Sequence, residues 1–403
     1  MVKPERRTRA DLLAAAAIAA VVIVVAAVLW WTSDARATIS RPAASPMKTL
    51  APAKTIPATF RELWTAPSPK TTTPVVAGGS VVTGNGHDVE GRDPTTGNVL
   101  WSYARDLDLC GVTWVYHYAV AVYPDSRGCG QVSTIDGQTG MRGPSRTAYA
   151  DPEVTLSSDG TTVLSAGDSR LEQWRSDMVR MISYGYLDAR IKPGSPGPDL
   201  CGLKSAAASS SAVSVLEACP KAANLRVTLL RPAKEEDTPD LKYVQLPDVK
   251  DNTGAKVVAV SETTTAVYAP TPQPSVMIID ETGSTTANLP VPKPVSPEAA
   301  ATRPGDLVTW WTGDAVMVFT ASGMQYRYTI GPVDTHVPVG PAAMMAGKLI
   351  VPVSDGLGVY DPVTGVNERY VPLQRQPVKS AVVPIVAGST LLEQRGGTLV
   401  ALG

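Results

Sequence analysis

The chain has 403 residues, is 44% hydrophobic and 18% charged, and carries a formal net charge of −1 at pH 7. No basic stripe runs along it, so the sequence gives no support for nucleic-acid binding. A chain of this length exceeds what one ordinary hydrophobic core holds unless the fold repeats.

The first element is predicted to be a transmembrane helix. The run from Leu12 to Trp31 is 20 residues of only Ala, Val, Ile, Leu and Trp, and such a helix spans roughly 30 Å, the thickness of a bilayer core. The basic residues before it place residues 1–11 in the cytoplasm and everything after it outside. A cleaved signal peptide is the alternative, because Ala35-Arg36-Ala37 resembles a signal-peptidase site, although the apolar region of such signals is usually about 7–15 residues.

Residues 32–57 are predicted to be a Pro/Ala-rich linker. Its prolines favour an extended chain, and they are Pro42, Pro46, Pro52 and Pro57. We expect this tether to hold the globular part, residues 58–403, a short distance from the membrane.

A turn of the form Asp-x-x-Thr-Gly recurs through residues 58–403. Its aspartates and glycines are Asp93 and Gly97, Asp136 and Gly140, and Asp361 and Gly365, with a shorter copy at Asp280 and Gly283. The first two aspartates are 43 residues apart, and the last two are 81 apart, close to two such periods. This spacing, between strand-like runs rich in Val, Thr and Tyr, is typical of a β-propeller with one four-stranded blade per period.

The repeated residues are interpreted as structural. The aspartate caps its own turn by accepting backbone N–H bonds, and the glycine supplies a positive φ. The tryptophan that follows, Trp101 in the first blade and Trp64 before it, is expected to pack between neighbouring blades.

The phase of the repeat predicts eight blades, with seven as the alternative because the fourth and sixth are weakly marked. The last blade opens at residues 383–388, which repeat the opening at 74–79, but its turn and outer strand are missing. Residues 60–64 match residues 98–101 in phase. We therefore expect this N-terminal strand to complete the last blade, which removes the exposed edges of an open ring.

Residues 58–403 resemble the PQQ-like β-propeller superfamily, whose members include quinoprotein dehydrogenases and BamB-like scaffolds. The residues that match its repeat are Asp93, Thr96, Gly97 and Trp101, and Asp361, Thr364 and Gly365. The resemblance implies an all-β propeller and leaves the activity open, because the fold serves both enzymes and scaffolds. The abundance of Ala, Pro and Val with only two Phe is also typical of an actinobacterial membrane protein.

Four cysteines lie beyond the apolar run, where oxidising compartments favour disulfides. Of the three possible connectivities, we favour the local one, which pairs Cys110 with Cys129 and Cys201 with Cys219. Each bond would then join adjacent strands of one blade. A metal site is disfavoured, because zinc ligands are normally spaced more tightly.

No catalytic, cofactor-binding or metal-binding residue is predicted. The adjacent Cys-Cys pair of quinoprotein enzymes does not occur, and neither does a Gly-x-Ser-x-Gly elbow, a Walker A loop or an EF-hand loop. The charged run at residues 234–237 is expected to be a solvated loop.

Two aromatic clusters are candidate partner surfaces, because aromatic residues are enriched at interface hot spots. They comprise Trp114, Tyr116, His117 and Tyr118, and Trp310 with Trp311. Core packing is the competing interpretation, with His117 on a half-buried strand. Because adjacent strand residues face opposite sides, we expect one of Trp310 and Trp311 to be exposed.

The leading hypothesis is a non-enzymatic, single-pass membrane protein whose extracytoplasmic propeller is a scaffold for a protein or cell-envelope component, with no cofactor. The alternatives are a ligand receptor or sensor that uses the central funnel, and a quinoprotein dehydrogenase.

Overall fold

The computed structural model describes residues 8–186, 201–236, 238–291, 294–376 and 379–403. Its helices are Arg9–Trp31 and Asp34–Ala37. Among the described residues, Arg9–Trp31 alone is long and apolar enough to cross a membrane, and none of its residues is buried. A membrane span and a signal sequence share this pattern.

The strands form eight antiparallel sheets, which are arranged as the blades of a β-propeller. From the axis outward, the strands of the first four blades are Val75–Ala77, Ser80–Asn85, Asp88–Arg92 and Val99–Ala104; Gly111–Val115, Tyr118–Asp125, Gly128–Asp136 and Arg142–Thr147; Thr155–Ser158, Thr162–Ala166, Arg170–Arg175 and Arg180–Gly185; and Gly202–Ser209, Ala212–Ala218, Arg226–Arg231 and Asp240–Gln245. Those of blades five to eight are Lys256–Val260, Thr264–Ala269, Ser275–Asp280 and Thr285–Pro290; Ala300–Thr302, Leu307–Trp311, Val316–Thr320 and Tyr326–Ile330; Ala343–Met345, Lys348–Val353, Gly356–Tyr360 and Asn367–Pro372; and Val382–Ala387, Thr390–Arg395, Thr398–Leu402 and Glu62–Pro67. The eight-bladed prediction is confirmed, and the seven-bladed alternative is wrong.

The last blade takes its outer strand from the beginning of the propeller. Glu62–Pro67 pairs antiparallel with Thr398–Leu402, so the ring closes through hydrogen bonds between distant parts of the chain. This strand begins two residues later than residues 60–64 suggested, because Phe60 is buried in the core between blades seven and eight instead of pairing.

The segment predicted as a tether lies against the propeller instead of extending freely. Ile39–Arg41 pairs with the outer strand of blade one as a fifth strand. We call residues 42–57 the strap, because they cross the turns of four blades. An extended backbone has free N–H and C=O groups, and edge strands and turns offer partners for them. Only residues 32–38 remain between the long helix and the first paired residue.

Both faces of a blade are covered by its neighbours, so residues of either orientation on the inner strands are buried, as on Leu307–Trp311. Trp310 is 1% exposed and Trp311 is 7% exposed. The expectation that one of them is exposed is therefore wrong. The Trp311 indole donates to the carbonyl of Pro338 at 2.8 Å, which satisfies its polar group inside the core.

Two disulfides have the local pairing favoured by the sequence. Cys201–Cys219 joins the ends of the first two strands of blade four. Cys110–Cys129 reaches from the residue before the first strand of blade two to its third strand, so it bridges across the second strand instead of joining adjacent strands.

Candidate functional site

The recurring aspartates cap the turns between the third and fourth strands. The Asp93 side chain accepts hydrogen bonds from the backbone N–H of Thr95 at 2.9 Å and of Thr96 at 2.8 Å, and Gly97 has a φ of 73°. Asp136 and Asp361 repeat these capping bonds. In the shorter copy, Asp280 accepts from the backbone N–H groups of Thr282 and Ser284. The backbone N–H of Thr364 and the Lys348 ammonium hold the pKa of Asp361 at about 2.

Three of the four turns also receive an aromatic side chain from the preceding blade. The Trp64 indole donates to the Pro94 carbonyl at 2.9 Å, and the Trp101 indole donates to the Gly137 carbonyl at 2.9 Å. The Tyr328 hydroxyl of blade six donates to the Pro362 carbonyl of blade seven at 2.7 Å. The repeated turn and the aromatic side chain therefore form a contact that joins successive blades.

The glycine of the turn leaves room for that aromatic side chain. A Cβ atom on Gly97 would lie 2.6 Å from Cγ of Trp64, and one on Gly140 would lie 2.4 Å from Cβ of Trp101. Since real Cβ contacts are longer, the glycine is required by packing as well as by its positive φ.

The join between blades two and three replaces the aromatic residue with Arg146. Its guanidinium donates to the Met178 carbonyl at 2.7 Å and lies 3.1 Å from the Glu172 carboxylate. Burial acts to raise the pKa of Glu172, but Arg146 and Arg170 outweigh it and leave that pKa below its usual value. Glu172 is buried and Arg146 is largely buried, so this charged cluster is structural.

The aromatic cluster of blade two is divided between the propeller interior and its surface. Trp114 is half-buried and faces the axis, whereas Tyr116 and His117 form the exposed turn after the first strand. His117 is therefore not the half-buried strand residue expected. Its ring lies 4.0 Å from that of Tyr118, and its Nε2 atom is 3.5 Å from the Asp136 carboxylate.

A central channel of about 450 Å³ runs along the axis and receives residues from all eight blades. Its wall is made largely of small apolar side chains, and one contributor from each blade in turn is Pro74, Trp114, Ser158, Ala208, Ala259, Ala301, Ala343 and Ile385. A second cavity, of about 430 Å³, lies between the strap and blades seven and eight and shares Met344 and Val386 with the channel. The strap therefore lines a cavity that adjoins the channel.

Arg303 and Asp159 are the charged side chains of the channel wall, among the described residues. The Arg303 guanidinium donates to the Val260 carbonyl, and burial lowers its pKa while Asp159 partly offsets that change. One Asp159 carboxylate oxygen accepts from the backbone N–H groups of Thr161 at 2.9 Å and Thr162 at 2.8 Å. Neither residue is predicted from the sequence, because their shared location depends on which strands face the axis.

One group of potential metal ligands occurs among the described residues, namely Cys201, Glu217 and Cys219. The two sulfur atoms are bonded to each other, so neither is a free thiolate ligand. Glu217 accepts from the Tyr184 hydroxyl and the Arg226 guanidinium, both at 2.9 Å, which accounts for its burial.

No protein-family model matches the chain, and no curated protein matches it. Among solved structures, BamB from Moraxella catarrhalis superposes with a TM-score of 0.52 at 14% identity, covering 85% of this chain and 99% of BamB. The computationally designed Ika8 protein gives 0.53 at 15%, covering 84% and 98%. The dihydro-heme d1 dehydrogenase NirN, in complex with DHE, gives 0.51 at 9%, covering 84% and 78%. At these identities the likeness establishes the fold alone.

Proposed function

We propose that this chain is a membrane-anchored β-propeller that acts outside the cytoplasm as a non-enzymatic scaffold for a protein or other cell-envelope component. The observation that carries the proposal is the short connection between the apolar helix and blade one. Residues 32–38 alone separate Trp31 from the pairing of Ile39 with Ala104. Seven residues reach at most about 25 Å when fully extended, so an anchored propeller stays beside the bilayer.

The strap supports this proposal because it ties the chain to four blades in succession. Ala43 donates its N–H to Thr139 of blade two at 2.8 Å, and Ala53 donates to Gly388 of blade eight at 3.1 Å. Between them, the Lys48 carbonyl lies against Gly79 of blade one. At the end of the strap, Arg369 of blade seven donates to the Ile56 carbonyl at 3.0 Å. A propeller held in this way presents fixed surfaces to partners at the membrane.

The solved neighbours are compatible with more than one activity. The likeness to BamB favours a scaffold, while NirN shows that an enzyme also uses a similar ring. None of the described residues forms a recognised catalytic arrangement, and no specific observation favours a quinoprotein dehydrogenase over the scaffold.

Photo-crosslinking in native membranes tests the proposal. A crosslinking amino acid is placed at Tyr116 or Val363, on the face with the capped turns, and at Tyr149 or Tyr186, on the opposite face; all four side chains are exposed. We expect discrete adducts with a defined envelope component from positions on one face. Positions on the other face serve as the internal control and should give few adducts. The absence of adducts from both faces would contradict the scaffold function.

A further inference from the structure

We propose that the central channel is a binding site for a small apolar ligand that carries a single carboxylate, and that Arg303 is the residue that binds this carboxylate. This inference goes beyond the scaffold function, because it assigns a small-molecule site that a partner-binding surface does not require.

Arg303 lines the channel and is exposed to the solvent in it. It follows the innermost strand of blade six, Ala300–Thr302, and its side chain is accessible to solvent. The surrounding protein nevertheless lowers the pKa of its guanidinium by burial. A side chain that projects into a narrow channel has both properties, because it contacts solvent while protein surrounds it.

The hydrogen-bonding capacity of Arg303 is largely unused by the described residues. A guanidinium has five N–H donors, and here one bond, to the Val260 carbonyl, is made. No described carboxylate lies within ion-pair distance of it. The remaining donors are available to a molecule in the channel.

Six other arginines of the propeller, all buried or partly buried, are each paired with a glutamate. These pairs are Arg146, Arg170 and Arg180 with Glu172, Arg226 with Glu217, and Arg375 and Arg395 with Glu393, at distances from 2.6 to 3.1 Å. Enclosed charges are normally paired, because desolvation without a counter-charge is costly. Arg303 therefore lacks the type of partner that this protein supplies elsewhere, and a carboxylate matches the fork of the guanidinium in a bidentate geometry.

Asp159 limits the charge of the ligand. Its carboxylate lies in the wall of the same channel and acts electrostatically on Arg303, so it repels additional negative charge. A monoanion is favoured over a dianion such as inorganic phosphate, because the repulsion grows with the ligand charge.

Most of the remaining wall is apolar, although it includes the hydroxyl groups of several Ser and Thr residues, and it favours an apolar ligand body of modest size. Ala208, Ala259, Ala301 and Ile385 surround the axis, and such side chains offer no hydrogen bonds to a polar body. The volume of about 450 Å³ lies within the roughly 300–1,000 Å³ of typical small-molecule sites. A branched organic acid and the C-terminal carboxylate of a short apolar peptide both have this chemistry.

The test is calorimetric titration of the full chain in lipid nanodiscs with matched acids and amides. The probes are isobutyrate and isobutyramide for a free acid, N-acetyl-alanyl-alanine and its C-terminal amide for a peptide end, and inorganic phosphate. We expect at least one of the two acids to bind at least about tenfold more tightly than its amide and than phosphate. The acid that binds identifies the source of the carboxylate.

Variants assign the binding to the channel. Arg303→Gln is expected to weaken acid binding at least about tenfold, and Arg303→Lys to recover part of it. Ala208→Leu, which narrows the channel and retains Arg303, should also weaken binding. Arg327→Gln, an exposed change on the outer strand of the same blade, is the control and should have no effect. The proposal would be overturned if acid and amide bound equally, if phosphate bound more tightly, or if no probe bound. It would also be overturned by unchanged binding in folded Arg303→Gln or Ala208→Leu protein.

Discussion

The indole nitrogen of Trp64 donates a hydrogen bond to the carbonyl oxygen of Pro94 at 2.9 Å, at the point where the eighth blade meets the first. Trp64 lies on the strand that pairs with the C-terminal strand Thr398–Leu402, whereas Pro94 lies in the first capped turn. The same contact joins blades one and two, where Trp101 donates to Gly137. The ring is therefore closed by the same contact that links two of its consecutive blades.

Replacement of Trp101 is predicted to destabilise the propeller. Trp101→Ala removes a buried indole and leaves a cavity, so the free energy of unfolding should fall by about 3–5 kcal/mol. Trp101→Phe keeps the ring packing and loses the hydrogen bond, which should cost about 1–2 kcal/mol. Denaturant titration measures both changes. Tyr116→Phe, at a side chain that is 56% exposed, is the control, and a Trp101→Ala effect as small as that of the control would refute the inter-blade contact.

Gly140 is predicted to tolerate alanine less well than Gly86. Both have positive φ, 70° and 56°, so both alanine variants carry a backbone strain of about 1 kcal/mol. A Cβ on Gly140 would also meet Trp101, whereas a Cβ on Gly86 has no neighbour within 4 Å. The unfolding midpoint should therefore fall further for Gly140→Ala than for Gly86→Ala. Equal midpoints would show that the turn adjusts without cost.

Both disulfides are predicted to stabilise the propeller. They close loops with separations of 19 and 18 residues, for which chain entropy predicts about 3 kcal/mol each. Paired Cys→Ser variants should lower the free energy of unfolding by similar amounts, measured by denaturant titration without reductant. As a control, reductant should shift the midpoint of the parent chain and leave that of the four-serine variant unchanged. A parent midpoint that is insensitive to reduction would contradict the prediction.

The strap is predicted to be protected from hydrogen exchange. Ala43, Met47 and Ala53 donate their backbone N–H groups to the propeller, so deuterium uptake across residues 42–57 should be slower than for a free extended chain. The exposed loop at residues 250–254 serves as the comparison in the same mass-spectrometric experiment. Uptake by the strap as fast as by that loop would restore the interpretation of this segment as a free tether.

Asp361 is predicted to stabilise the turn of blade seven in a pH-dependent way. Its pKa is about 2 in the folded protein, below the roughly 3.9 of an unfolded aspartate. Its stabilising effect is therefore present above about pH 4 and is lost as the pH falls towards 2. The Tm difference between the parent chain and Asp361→Asn should be larger at pH 6 than at pH 2.5. Equal differences at the two pH values would show that the charge does not contribute.

The sequence revealed the blades because the capped turn is a local structure. The aspartate bonds to the backbone two and three residues later, and the glycine adopts its φ within the same turn, so both leave a pattern that can be read without the fold. The phase of that pattern was sufficient to predict eight blades and a closing strand near residues 60–64.

Features that depend on distant contacts were not predictable in the same way. The backbone of the strap forms hydrogen bonds with turns far away in the sequence, as Ala53 does with Gly388, 335 residues later. The composition of the strap is nevertheless that of a free linker. Burial of both Trp310 and Trp311 requires neighbouring blades on each face. Arg303 becomes a candidate ligand-binding residue only when the ring places it in the channel beside Asp159.

Cysteine labelling in intact spheroplasts tests most directly whether the propeller lies outside the cytoplasm beside its anchor. Tyr116→Cys introduces an exposed thiol into the propeller, and Arg9→Cys introduces one at the start of the helix, on the side predicted to be cytoplasmic. With the four native cysteines in disulfides, a membrane-impermeant maleimide should label Tyr116→Cys in the membrane fraction of intact spheroplasts. It should label Arg9→Cys only after permeabilisation. Labelling of Tyr116→Cys only after permeabilisation, or its recovery in the soluble fraction, would contradict a membrane-anchored extracytoplasmic scaffold.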